Sequence, residues 1–143
     1  MSEREKMELQ VGVKILLKNH EGKYLLVRRN PKKYPEVCPK WDIVGGRIEP
    51  GSPLMENLER EAKEEVGLEL SSPVKLVAAQ DILKIPDRHV VRLTYIGEIE
   101  GAPRIDEDHL EAKWFFGEEI KNMNGKILDS YFKELLDKKI IQL

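Results

Sequence analysis

Between Leu9 and Lys18 the residues Val11, Val13, Ile15 and Leu17 recur with a period of two, which predicts a strand with one buried face. Asn19-His20-Glu21-Gly22 then supplies hairpin punctuation, and the apolar pattern resumes from Tyr24 to Arg29 as a second, antiparallel strand. Asn30 to Lys40 carries Pro31, Pro35 and Pro39, so it reads as a surface loop that ends where Trp41 to Val44 begins a short strand. Beyond Gly45-Gly46 the pattern changes period. Leu54, Leu58, Ala62 and Val66 form the stripe of a helix, with Ser52 expected as its N-cap, Pro53 at its first position and Gly67 at its end. Val74 to Ile85 and His89 to Ile99 read as strands on either side of Pro86-Asp87-Arg88. Glu100 to Glu111 reads as an acid-rich loop, and Lys113 to Phe116 as a further short strand. Ile127, Leu128, Tyr131, Phe132, Leu135, Leu136 and Ile140 fall at helical spacing and predict one C-terminal helix with an apolar face. Strands, a helix, more strands and a final helix describe an α+β domain, an α/β/α sandwich around a mixed sheet.

The first helix breaks its own pattern. Glu56, Glu59 and Lys63 point away from the stripe, whereas Glu61 and Glu65 fall on its edge, with Glu64 beside Glu61. Like charges at i,i+4 repel, and partial burial raises the cost unless a cation sits between them. Three carboxylates gathered where the helix meets the body are therefore the expected seat of a divalent ion. The ion class follows from the available donors. His20, His89, His109 and Cys38 are scattered without zinc spacing, while clustered carboxylates suit hard cations, so Mg²⁺ or Mn²⁺ is expected. Mg²⁺ usually completes its shell with water and substrate phosphate, which points to phosphoryl chemistry. The alternative for the same three acids is a solvated charge run paired with Arg60 and Lys63.

The spacing favours the first reading. Gly46, five residues, Ser52, seven residues, then Arg60-Glu61-Ala62-Lys63-Glu64-Glu65-Val66-Gly67-Leu68 resembles the Nudix box of Gly, five residues, Glu, seven residues, Arg-Glu-aliphatic-any-Glu-Glu-any-Gly-aliphatic. Chance agreement at the six matched Gly, Arg and Glu positions is about 10⁻⁷ per starting point at average residue usage. The resemblance implies a Nudix fold of the MutT-like group and hydrolysis of a nucleoside diphosphate linked to another moiety, with water attacking phosphorus. By position it implies metal ligation by Glu61, Glu64, Glu65 and the backbone carbonyl of Gly45. It assigns the general base to Glu61 first and Glu64 second. Asp106, Glu107 and Asp108 stand where some relatives supply another acid. Ser52 departs from the pattern and removes one negative charge near the metals. That departure motivates an alternative, a nucleotide-binding or regulatory module with weakened turnover. A purely structural domain leaves the acids at the apolar stripe unexplained.

Arg29 and Arg47 are the expected phosphate or base contacts, with Arg28 as a further candidate, because their forked donors match anionic oxygens. Trp41 and Tyr34 are candidates for stacking a nucleobase. Arg60 is expected to orient an acid rather than to touch substrate. Gly45-Gly46 and Gly51 are expected to form tight turns close to an ion or phosphate.

The 143 residues suffice for one domain, expected over residues 8–143 with residues 1–7 as a loose arm. With 24 Lys+Arg against 26 Asp+Glu, the net charge of -2 offers no general attraction to duplex nucleic acid or an anionic membrane. The absence of a long apolar run and the lone Cys38 lead to the expectation of a cytoplasmic protein, monomeric or homodimeric, acting on a small nucleotide substrate.

Overall fold

The structure is a computed structural model that describes residues 6–33, 39–71, 73–105 and 110–143. Its elements in chain order are β1 (Glu8–Lys18), β2 (Tyr24–Arg29), β3 (Val44–Arg47), α1 (Leu54–Val66), β4 (Lys75–Ile82), β5 (Arg88–Glu98), β6 (Leu110–Phe115), α2 (Gly117–Lys121) and α3 (Ser130–Asp137). The strands form one sheet in the order β4-β5-β1-β2-β6, with β3 paired to β1 off that path. β1 and β5 run parallel from Glu8↔Arg88 to Lys18↔Glu98, while the other pairs are antiparallel, so the sheet is mixed.

The alternation in β1 divides the interior into two cores. Val13, Ile15 and Leu17 pack with Leu25, Val44 and Tyr95 beneath Leu58, Ala62 and Val66 of α1. Leu16 turns to the other side and joins Leu26, Trp41, Ile43, Phe115, Phe132 and Leu135 under α3. Each fully buried aliphatic chain stabilises the fold by roughly 1.5–3 kcal/mol. Apolar burial thus holds a helix on each face, the expected three-layer sandwich.

Several expected boundaries move. Pro53, not Ser52, is the N-cap of α1, because the entry is organised by Asn57. The Asn57 amide donates to the carbonyls of Ser52 and Pro53 at 3.0 and 2.7 Å, and its Oδ1 accepts from the Glu49 N–H at 3.0 Å. The Ser52 hydroxyl instead reaches Glu56 at 3.5 Å. At the C-terminus, Asp129 caps α3 by accepting from the N–H groups of Tyr131 and Phe132, both at 3.0 Å. The expected long helix is shortened accordingly, and Leu128 pairs with Trp41 as an isolated bridge. The acid-rich segment ends earlier than expected because β6 starts at Leu110, in register with Arg29 of β2. Trp41 and Asp42 make only single bridges, and the strand of this region is β3, which contains Gly45 and Gly46.

Candidate metal centre

Gly45 and Gly46 form no turn. They lie within β3, opposite Lys14 and Val13 of β1, and α1 packs closely over them. Their lack of side chains is explained by that approach. A Cβ on Gly45 would meet the Val13 carbonyl oxygen at 2.0 Å and the Lys14 Cα at 2.8 Å, and the φ of 146° disfavours any L side chain. A Cβ on Gly46 would lie 2.7 Å from Glu61 Oε1. The space that a side chain would fill is the space in which the Glu61 carboxylate sits.

Glu61 is buried at 9% exposure, and its Oε1 accepts from Arg60 Nη1 at 2.8 Å. Its Oε2 accepts no hydrogen bond among the described residues. Glu65, half-buried one turn further on, accepts from the Gly45 N–H at 3.2 Å. Burial pushes the Glu65 carboxyl up to about 7, against the opposing pull of Lys14 and of the Gly45 N–H. Arg60 binds outward and inward at once. It reaches Glu64 Oε2 at 3.3 Å, Glu49 at 3.6 Å, Asn57 Oδ1 at 2.9 Å and the Arg47 carbonyl at 3.2 Å. The expectation that Arg60 orients an acid matches this geometry.

The expected convergence of three acids is corrected to two. At about 100° per residue Glu64 lies roughly 60° from Glu61 on one side and Glu65 roughly 40° on the other. Glu64 therefore stays 60% exposed beside Arg60, while Glu61 and Glu65 face Gly45 and Gly46. Among the described residues no three His, Cys, Asp or Glu side chains stand close enough to hold an ion together. Two carboxylates still fit Mg²⁺ or Mn²⁺, because such ions are usually held by one or two carboxylates with the remaining positions left to water and phosphate. The chemistry agrees: both donors are hard carboxylate oxygens, and burial disfavours the charged form of Glu65 when no cation is present.

Below β3, on the α3 side of the sheet, lies a charged network not anticipated from the pattern. Lys14 Nζ stands 3.2 Å from Asp42 Oδ2 and donates to the carbonyls of Ile43 at 3.2 Å and Gly45 at 3.4 Å. Arg92, only 4% exposed, binds Asp42 through both terminal nitrogens at 2.9 and 3.2 Å and reaches Asp129 at 3.4 Å. Burial alone would raise the Asp42 carboxyl, but Lys14 and Arg92 outweigh it and hold it below the usual range. Arg92 Nε, Thr94 Oγ1 and Gln80 Oε1 are buried without a hydrogen-bond partner among the described residues. The available signal was a lysine and an arginine inside otherwise apolar strands, Val13-Lys14-Ile15 and Val91-Arg92-Leu93.

The other expected contacts are placed as follows. Arg29 is exposed at the end of β2. Arg47 is exposed at the end of β3 and donates to Gln10 Oε1 at 3.1 Å; partial burial and then the nearby Arg88 guanidinium lower its pKa. Trp41 is 6% exposed, set edge-on to Phe115 with centroids 4.9 Å apart and covered by Arg28 at 4.5 Å, so it packs in the second core. His20 pairs with Glu100 and His89 with Asp81, away from the acidic helix face. Tyr34, Cys38, Asp106, Glu107, Asp108, His109 and most of the expected N-terminal arm lie outside the described residues.

Glu65 sets a pH dependence in the absence of metal. Between the ordinary carboxyl value of 4.5 and about 7, the folded chain holds a proton that the unfolded chain has released. Its contribution to stability is full below 4.5 and is lost as pH rises through about 7. Thermal melts in chelator between about pH 5 and pH 7.5 are expected to show the parent losing on the order of 2 kcal/mol relative to Glu65→Gln, which lacks the titration. Parallel pH profiles of the two proteins would contradict the assignment.

The fold is a mixed α/β/α sandwich with a carboxylate-bearing helix packed over two strand glycines. A family model described as NUDIX domain matches residues 8–135, and the chain belongs to that family. It is 30% identical over 102 residues to 8-oxo-dGDP phosphatase NUDT18 of Mus musculus; the match takes in 68% of this chain and only 29% of that relative. The MutT protein of Methanosarcina mazei Go1 has a similar structure, with a TM-score of 0.76, 24% identity and coverage of 93% of this chain and 94% of that one. A MutT NUDIX hydrolase from Burkholderia pseudomallei superposes with a TM-score of 0.72 at 25% identity, covering 91% and 97% of the two chains.

Proposed function

We propose that the chain is a Mg²⁺- or Mn²⁺-dependent pyrophosphohydrolase of a nucleoside diphosphate-linked substrate, with a nucleoside triphosphate as the first choice. The observation that carries this reading is the meeting of Glu61 and Glu65 at Gly45 and Gly46, where a Cβ would displace a carboxylate. Family membership and the likeness to MutT structures support it. The NUDT18 relative's name supports a nucleoside diphosphate derivative as the substrate class.

In this reading Glu61 and Glu65 hold the ion, with Glu64 as a further donor and the Gly45 carbonyl, which also accepts from Lys14, as a contested one. The ion, when bound, neutralises phosphate charge and lowers the pKa of water. Arg60 fixes Glu61 through Oε1, so Oε2 is oriented to take the proton of the attacking water, as a general base must. Glu64, more exposed, is the second choice for that role. Arg47, with Arg88 close by, supplies positive charge for the terminal phosphates, and Arg29 offers another fork. Trp41 keeps a supporting role by packing under Arg28. No helix among the described residues is long and apolar enough to cross a membrane, and a cytoplasmic monomer or homodimer without duplex nucleic acid partners is our reading of its setting.

The test is a panel of nucleoside triphosphates, diphosphates and nucleotide conjugates incubated with the chain and Mg²⁺, with products separated by chromatography. Release of phosphate or pyrophosphate that stops in chelator is expected. Nucleotide that raises the melting temperature but stays intact for hours would replace the enzyme by a binding module.

A further inference from the structure

We infer that Lys14 is a built-in cation at the edge of the candidate metal centre, and that its fixed ammonium competes with a divalent ion at the Gly45 carbonyl and weakens its binding. The inference rests on the reading of Glu61 and Glu65 as cation ligands.

Lys14 sits in the middle of β1, where its neighbours Val13 and Ile15 are fully buried. Its side chain is 19% exposed, and its ammonium is held at three oxygens: Asp42 Oδ2 and the carbonyls of Ile43 and Gly45. Asp42 is itself fixed by the two-nitrogen grip of Arg92, so the ammonium is anchored from below. The two backbone polar groups of Gly45 are thus divided between opposite charges. Its N–H serves the Glu65 carboxylate and its carbonyl serves Lys14.

A backbone carbonyl is a good ligand for a hard dication, yet the Gly45 oxygen already accepts from a cation. A second positive centre at the same oxygen is repelled, and the repulsion is strong at short range in a partly buried site. Lys14 therefore competes with a dication for the Gly45 oxygen, and Asp42 and Arg92 keep it in that position.

The experiment measures Mn²⁺ binding to the full chain by electron paramagnetic resonance and calorimetry, with Mn²⁺ alone as the probe. Lys14→Gln keeps a donor for the two carbonyls and removes the charge; Lys14→Arg keeps the charge. The Gln variant is expected to bind Mn²⁺ about tenfold more tightly than the parent, while the Arg variant matches the parent. If the Gln variant does not melt cooperatively, Lys14→Met serves as the neutral arm. Equal affinities in the parent and a folded neutral variant overturn the inference and leave the metal site standing. Failure of the parent and the variants alike to bind Mn²⁺ overturns the metal site and the inference together.

Discussion

Glu65→Gln and Glu61→Gln are each expected to slow Mg²⁺-dependent hydrolysis at least about 100-fold, on the order of 3 kcal/mol of transition-state stabilisation. The two substitutions remove charge while keeping shape. At Glu65 the amide can still face the Gly45 N–H through its oxygen, and the neutral form is already favoured by burial, so the fold is retained. At Glu61 the amide keeps an acceptor for Arg60 but cannot take a proton from water. Glu64→Gln, on an exposed side chain beside Arg60, is expected to cost less than either. Steady-state rates of the three variants, with melting temperatures beside them, decide the matter. Full activity in both Glu61→Gln and Glu65→Gln would remove the site.

Asp42→Ala has the opposite profile, a loss of stability larger than any direct effect on chemistry. The substitution strips Arg92 of its two-nitrogen partner and Lys14 of its carboxylate, leaving a nearly buried guanidinium with Asp129 as its one remaining carboxylate among the described residues. An uncompensated buried charge costs about 3–5 kcal/mol. For a chain of this length that corresponds to a fall of about 10 °C in melting temperature. Because the Asp42 carboxyl is held below its usual range, the parent retains this contribution above the ordinary carboxyl value and loses it as pH falls through the lower folded value. The deficit of Asp42→Ala should therefore shrink in acid. Replacing Arg92 together with Asp42 by apolar residues should restore part of the loss, since the buried guanidinium goes with its carboxylate while Lys14 keeps the carbonyls of Ile43 and Gly45 and Asp129 keeps its two cap N–H groups. A single Asp42→Ala variant that melts with the parent would show the network to be energetically idle.

These residues also mark the limit of reading the chain by pattern. Period-two runs found β1, β2 and β5 because those strands bury one or both faces under apolar layers, and the acidic helix was found because its carboxylates contradict its own stripe. The two glycines of β3 were recognised as a close approach but placed in a turn, since spacing cannot distinguish a tight bend from a strand pressed by a helix. The entry to α1 was assigned to Ser52 by cap preference, whereas Asn57, five residues later, organises it from within the helix. Lys14, Asp42, Arg92 and Asp129 come from β1, the segment before β3, β5 and the cap of α3, and no local rule links positions so distant in the chain. Their pairing is a product of sheet order.

The parallel seam between β1 and β5 has a kinetic side. Glu8 meets Arg88 and Lys18 meets Glu98, so each partner on this seam waits for a segment 80 positions downstream. Joining ends that far apart carries a large closure entropy, and topologies dominated by such distant pairings assemble slowly. During synthesis the first strand therefore emerges and remains without its parallel neighbour until the stretch from Arg88 to Glu98 has left the ribosome.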